Sequence, residues 1–222
     1  MAAITLVALD MDGTLFDSRE MVAGCYCRAL AELRLPWPPP PLTAILPHIG
    51  KPIPQIMQAV FPQATATQQQ AIAQTALGQI VAGIHRCEGT LYAGVPATLA
   101  ALARTYRLAI VSNARPPYLA AILDTYGLRG HIGHVGSLAD APPGGDKRDI
   151  LRQALASTGT AAAATVMVGD RAADYEAAQA LGVRFVACRY GHGTPDEWPG
   201  AAAVIERIGD LPAALAALAG HA

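Results

Sequence analysis

The chain has 222 residues, with 16 Lys and Arg against 17 Asp and Glu and a formal net charge of −1. Its basic residues are scattered rather than gathered in a stripe, which argues against nucleic acid or an anionic membrane as a partner. No run approaches the ~18 apolar residues of a membrane span, no basic leader with a small-residue cleavage site is present, and the four cysteines (Cys25, Cys27, Cys87, Cys188) show neither C-x-x-C nor zinc spacing, so the expectation is a cytoplasmic protein with reduced thiols.

Residues 4–9 (Ile-Thr-Leu-Val-Ala-Leu) read as a buried parallel strand, short and nearly continuous in apolar character, with a glycine turn at Asp12-Gly13 behind it. Residues 18–90 then contain no good strand. Val22, Cys25, Tyr26, Ala29, Leu30 and Leu33 mark an amphipathic helix, which points Cys25 and Cys27 in different directions. Pro36-Trp37-Pro38-Pro39-Pro40-Pro41 imposes extended or turn backbone, and residues 64–83 are helical again.

From about residue 91 the pattern alternates. Strands are expected at 108–111, 165–168 and 183–186, a short one at 203–205 and a weak one at 134–135. Between them lie helical faces formed by Leu99, Leu102, Ala103 and Tyr106; by Leu119, Ile122, Leu123 and Tyr126, stopped by Gly127; by Ile150, Leu151, Ala154 and Leu155; and by Ala178 and Leu181, closed by Gly182. Strand–helix alternation predicts an α/β fold, a doubly wound parallel sheet. The helical stretch is an insertion: 1–17 and 91–222 make the core and 18–90 a helical cap.

Polar residues follow the predicted strands. Asp10-Met11-Asp12-Gly13-Thr14 ends the first strand, Ser112-Asn113 the second, and Gly169-Asp170-Arg171-Ala172-Ala173-Asp174 the fourth, while Lys147 lies beyond the weak third one. Taken singly, these are an acidic turn, a polar cap, a solvated lysine and a helix entry. Together, at the carboxyl ends where open α/β sheets bind ligands, they match the needs of phosphoryl transfer. A dianionic monoester repels a carboxylate nucleophile unless its charge is neutralised and its atoms aligned. Clustered aspartates need a cation or a proton. Magnesium takes carboxylate, carbonyl, water and phosphate oxygens, an ammonium such as that of Lys147 pairs with phosphoryl oxygens, and Ser112 and nearby amides add uncharged donors.

These four motifs resemble those of the haloacid dehalogenase superfamily. The resemblance implies a Rossmann-like core and an Mg²⁺-dependent hydrolysis of a small phosphorylated metabolite. Asp10 would be the nucleophile and Asp12 the general acid and base. Thr14 would orient the loop near the phosphate, and Ser112 would bind the phosphoryl group with Asn113 shaping its loop. Lys147 would stabilise nucleophile and phosphoryl oxygens. Metal contacts would come from Asp10, from Asp12 through its backbone carbonyl, from Asp170 directly, and from Asp174 through water or through Lys147. The segments Asp10–Ser18, Leu91–Val95, Gly169–Arg171 and Arg189-Tyr190-Gly191-His192-Gly193 are similar to the phosphoglycolate phosphatase-like branch with a small helical cap. His48-Ile49-Gly50-Lys51-Pro52 looks like that branch's cap loop. Lys51 is then a candidate for a substrate carboxylate, or a surface lysine in a turn. Arg115 departs from the lysine-like pattern expected shortly after the second motif.

Other chemistries of the family remain in the comparison. Asp12 speaks against dehalogenation, which needs no acid/base at that position. A phosphomutase related to β-phosphoglucomutase shares cap type and motifs, although the insertion's basic residues are few (Arg28, Arg34, Lys51, Arg86). A phosphonoacetaldehyde hydrolase would need a Schiff-base lysine, for which only Lys51 is available. A binding protein that kept the fold without catalysis should have lost at least one of Asp10, Asp12, Lys147 and Asp170, and all four are present.

Overall fold

Residues 3–220 are described by a computed structural model. Six strands form a parallel sheet: β1 (Leu6–Leu9), β4 (Arg107–Ser112), β5 (His134–Ser137), β6 (Thr165–Gly169), β7 (Arg184–Cys188) and β8 (Ala203–Ile205), in the order β5-β4-β1-β6-β7-β8. Their apolar runs are explained by burial on both faces. Val7 and Leu9 belong to one apolar cluster and Ala8 to another, and the same alternation separates Val166 and Val168 from Met167. The first cluster is closed by α5 (Val95–Leu102), α6 (Pro116–Thr125) and α9 (Leu211–Gly220), the second by α7 (Lys147–Thr158) and α8 (Ala172–Ala180). Helices on both faces of a parallel sheet make the doubly wound α/β fold expected from the sequence.

Chain order reverses at β1, whose neighbours β4 and β6 lead to opposite edges of the sheet. A crevice therefore opens beyond the carboxyl end of β1, where such sheets bind ligands.

Between β1 and β4 lie α1 (Arg19–Glu32), α2 (Leu42–Ile45), α3 (Ile53–Val60) and α4 (Ala66–His85). They share an apolar cluster that includes Tyr26, Leu30, Phe61, Ile72 and Ala76. The helix α4 starts with a reciprocal cap, Thr65 with Gln68. Cys25 is buried and Cys27 exposed, as their two-residue separation on one helix requires. Pro36–Pro41 carries neither helix nor strand. No helix among the described residues is long and apolar enough to cross a membrane.

Most element boundaries shift by one or two residues from the sequence expectation, and three differences are informative. The first strand begins at Leu6 rather than at residue 4, although Thr5 N still donates to Ala164 O at 2.8 Å. The helix α5 stops at Leu102, and Tyr106 lies in the turn before β4 with its N–H on Leu102 O. The segment expected to lack strands ends in one: β2 (Phe16–Asp17) and β3 (Thr90–Leu91) form a two-residue antiparallel ribbon. A ribbon that short offers no alternation to read. It depends on Gly89, where a Cβ would lie 2.1 Å from Phe16 Cζ.

Candidate active site

Each strand facing the crevice ends in a polar residue. Asp10 follows β1 and is tied to β6 through its N–H on Val168 O at 2.9 Å. Ser112 closes β4, Asp170 follows β6, Lys147 opens α7 behind the Asp146 cap, and Asp174 lies in the first turn of α8. All five are buried.

Lys147 Nζ is 2.6 Å from Asp174 Oδ1 and 2.9 Å from Asp10 Oδ1. The contact with Asp174 is a hydrogen bond. The contact with Asp10 is an ion pair without hydrogen-bond alignment, and Asp10 Oδ1 has no hydrogen-bond partner among the described residues. One ammonium thus serves two carboxylates while a third, Asp170, stands beside them. Burial, together with Asp174 and Asp170, raises the Asp10 carboxyl well above its ordinary range despite Lys147. Burial and then Asp174 push Asp170 up to about 7. Burial opposes the charge of Lys147, but Asp10 and Asp174 outweigh it and hold the ammonium above its usual value.

Glycines make room for the acidic groups. A Cβ on Gly13, which has φ +79°, would lie 2.3 Å from Asp170 Oδ2; one on Gly191 would lie 2.4 Å from Asp170 Cβ; one on Gly169 would lie 2.3 Å from Asp174 Cγ. Asp170 is held from several directions. His192 N–H donates to its Oδ2 at 2.7 Å, the Thr14 hydroxyl to its Oδ1 at 3.3 Å, and Trp198 Nε1–H to its carbonyl at 3.0 Å. Asp174 accepts the N–H groups of Asp170 and Arg171 at 3.1 and 3.0 Å. Arg171 in turn pairs with Glu197 at 3.0 Å.

Asp12 has a different setting. Its Oδ1 accepts hydrogen bonds from Ser18 Oγ at 3.0 Å and from Tyr118 OH. Burial raises its carboxyl pKa, and those two donors oppose the rise. Neither donor stood out in the sequence. Ser18 closed the first motif segment and marked the edge of the insertion, with no partner assigned to it. Tyr118 precedes the helical face of Leu119 and Ile122, where an aromatic residue reads as packing. The Asp170 supports His192 and Gly191 lie in the Arg189–Gly193 segment, whose glycines were the available signal.

The remaining sequence candidates fall nearby. Asn113 Nδ2 donates to Gly50 O at 3.0 Å, so this side chain links the sheet end to the 48–52 loop. Ser112 Oγ accepts from Ala114 N at 3.3 Å. Lys51 and Arg115 line a cavity together with Asp12, and Lys51 Nζ lies 3.2 Å from His48 Nδ1.

Asp10, Asp170 and Asp174 each offer one carboxylate oxygen, and these lie within 4.8 Å of one another. Three buried carboxylates against one ammonium leave negative charge uncompensated, and among the described residues Asp10 Oδ1 meets only the shared Lys147 ammonium. The donor set suits a hard divalent cation. The Asp12 side chain is outside this group, turned to Ser18 and Tyr118, which leaves its backbone carbonyl as the atom it could offer.

The sequence pattern of the haloacid dehalogenase-like hydrolases matches residues 4–182. Over 224 aligned residues the chain is 32% identical to the plasmid phosphoglycolate phosphatase of Cupriavidus necator, covering 95% of this chain and 93% of that protein. It is 29% identical over 192 residues to the tyrosine-protein kinase PtkA of Mycobacterium tuberculosis, covering 86% of this chain and 64% of that one. A solved structure of a predicted phosphoglycolate phosphatase from Haemophilus somnus superposes with a TM-score of 0.83 at 21% identity, over 96% of this chain and 98% of the other.

Proposed function

The chain is an enzyme of the haloacid dehalogenase-like hydrolase family, of the phosphatase kind, and from that premise we propose that it hydrolyses the phosphomonoester of a small, phosphoglycolate-like metabolite through an aspartyl-phosphate on Asp10, with Mg²⁺ as cofactor. The observation that carries this reading is the buried set of Asp10, Lys147, Asp174 and Asp170 at one sheet crevice.

In the first step an Asp10 carboxylate oxygen attacks phosphorus, the bond from phosphorus to the ester oxygen breaks, and Asp12 gives its proton to the departing alkoxide. In the second step water attacks the acyl-phosphate, Asp12 takes the proton of that water, and the bond from phosphorus to Asp10 breaks, releasing phosphate and restoring both carboxyl groups. The raised Asp12 pKa supports a proton to give. Asp10, Asp170, Asp174 and the Asp12 carbonyl would hold Mg²⁺, which supplies charge neutralisation for the phosphoryl oxygens. Lys147 opposes the rise in the Asp10 pKa and orients its carboxylate toward the phosphoryl group. Ser112, with Asn113 and Thr14 fixing the surrounding loops, donates to the phosphoryl group.

The division of labour follows the chain. Residues 1–17 and 91–222 form the catalytic core, and 18–90 form a cap whose Lys51 meets a carboxylate on the substrate. The separate apolar cluster of the inserted helices supports this division. A cytoplasmic place of action accords with four free thiols.

The test is turnover of p-nitrophenyl phosphate. It should require Mg²⁺, stop with chelator and return when Mg²⁺ is restored. Undiminished hydrolysis after metal removal would sink the mechanism.

A further inference from the structure

A cavity of about 90 Å³ lies between the inserted helices and the loop after β4, and Asp12, Ser18 and Tyr118 form part of its wall. If Asp12 protonates the departing oxygen, the alcohol that leaves must extend into the space this carboxyl faces. The rest of that wall is chiefly apolar: Val22 and Tyr26 from α1, Ile49, Ile56 from α3, and Ala76 and Ile80 from α4. Of its charged side chains besides Asp12, only Lys51 and Arg115 are cationic. Lys51 is left to meet the carboxylate of a phosphoglycolate-like frame, and the apolar remainder of the wall favours added carbon surface removed from water, which unsubstituted glycolate lacks.

Size narrows the occupant. An apolar cavity of about 150 Å³ takes a benzene ring, roughly 25 Å³ per carbon. On that scale about 90 Å³ corresponds to three or four carbons. Resting on the phosphatase reading above, we infer that the leaving alcohol carries a compact apolar body of three or four carbon atoms, seated among Val22, Tyr26, Ile56 and Ala76 with its phosphorylated oxygen at Asp12.

The test is a series of unbranched alkyl phosphates, from methyl to hexyl, with the unmodified enzyme and saturating Mg²⁺. Burial of each added methylene should raise kcat/KM about fourfold, on the order of 60-fold from methyl to butyl, with no further gain beyond butyl. A carboxylate-bearing pair checks the same point: 2-(phosphonooxy)-4-methylpentanoate should exceed 2-phosphoglycolate at least tenfold. Ala76→Leu fills the cavity and should bring the butyl-to-methyl ratio close to one; should that variant fail to fold, the series on the unmodified enzyme decides alone. A series flat within threefold, or a preference for 2-phosphoglycolate over its branched analogue, overturns the inference while leaving the phosphatase reading in place. Failure to hydrolyse every ester, p-nitrophenyl phosphate included, overturns both.

Discussion

Tyr118 donates its phenolic proton to Asp12 Oδ1 across 106 residues of sequence, joining the first turn of α6 to the loop after β1. This bond opposes the rise that burial imposes on the Asp12 carboxyl. Tyr118→Phe keeps the ring and removes the donor, so the Asp12 pKa should rise further. The protonated form needed in the first step then persists to higher pH, and the alkaline limb of kcat/KM should move upward, with kcat falling about tenfold as the acid loses its fixed orientation. A profile that superimposes on the parent would reduce Tyr118 to packing.

Asp10 and Asp12 should separate by covalent chemistry. Asp10→Asn removes the nucleophile, so turnover should drop to background with no acyl-phosphate. Asp12→Asn keeps an oxygen for Ser18 and Tyr118 but loses the transferable proton, a change typically worth ~10²–10⁴-fold in rate. Mass spectrometry after exposure to a reactive phosphodonor should find the label on Asp10 in the parent and in the Asp12 variant. Label on any other residue would overturn the assignment.

Metal-free stability should depend on pH through Asp170. Its carboxyl rises from 3.8 unfolded to about 7 folded. The folded state therefore binds more protons between those values, and its stability falls as pH rises through that window. Below about pH 4 the carboxyl is protonated in both states and the penalty vanishes. Asp170→Asn lacks the penalty, so in chelator it should be more stable than the parent at pH 8, by about 1–4 kcal/mol, and no more stable at pH 3.5. Added Mg²⁺ should reverse the order at pH 8. Equal urea midpoints in chelator at both pH values would contradict this account.

Lys51→Ala should separate binding of a carboxylate from binding of phosphate. KM for 2-phosphoglycolate should rise more than KM for ethyl phosphate, with kcat nearly constant for both, the pattern of lost uniform binding. Equal changes for the two esters would return Lys51 to its contact with His48.

Much of this was legible in advance because strand burial writes itself into sequence. Residues 6–9, 108–111 and 166–168 must be apolar to lie between two helix layers, so a carboxylate or hydroxyl next to such a run is conspicuous. Asp10, Ser112 and Asp170 stand out for this reason, and Lys147 and Asp174 follow from order along the chain. Tyr118 was hidden because a buried aromatic residue on a helix has the same pattern whether or not its hydroxyl has a partner. The ribbon of β2 and β3 was hidden because two residues carry no period. The sequence could assign Asp12 a backbone carbonyl contact but not the partners of its carboxylate. Its side chain turns toward α6, a direction that depends on tertiary packing.

The 48–52 loop is tied to the rest of the molecule through its main chain: Asn113 reaches Gly50 O, and Arg171 reaches Ile49 O at 3.5 Å. Every residue type carries that carbonyl. Side chains at 48 and 51 can therefore be exchanged during divergence without undoing the loop's attachment, so selectivity can drift independently of docking. A lineage could explore new leaving groups one substitution at a time while the hydrolytic machinery beneath remained intact.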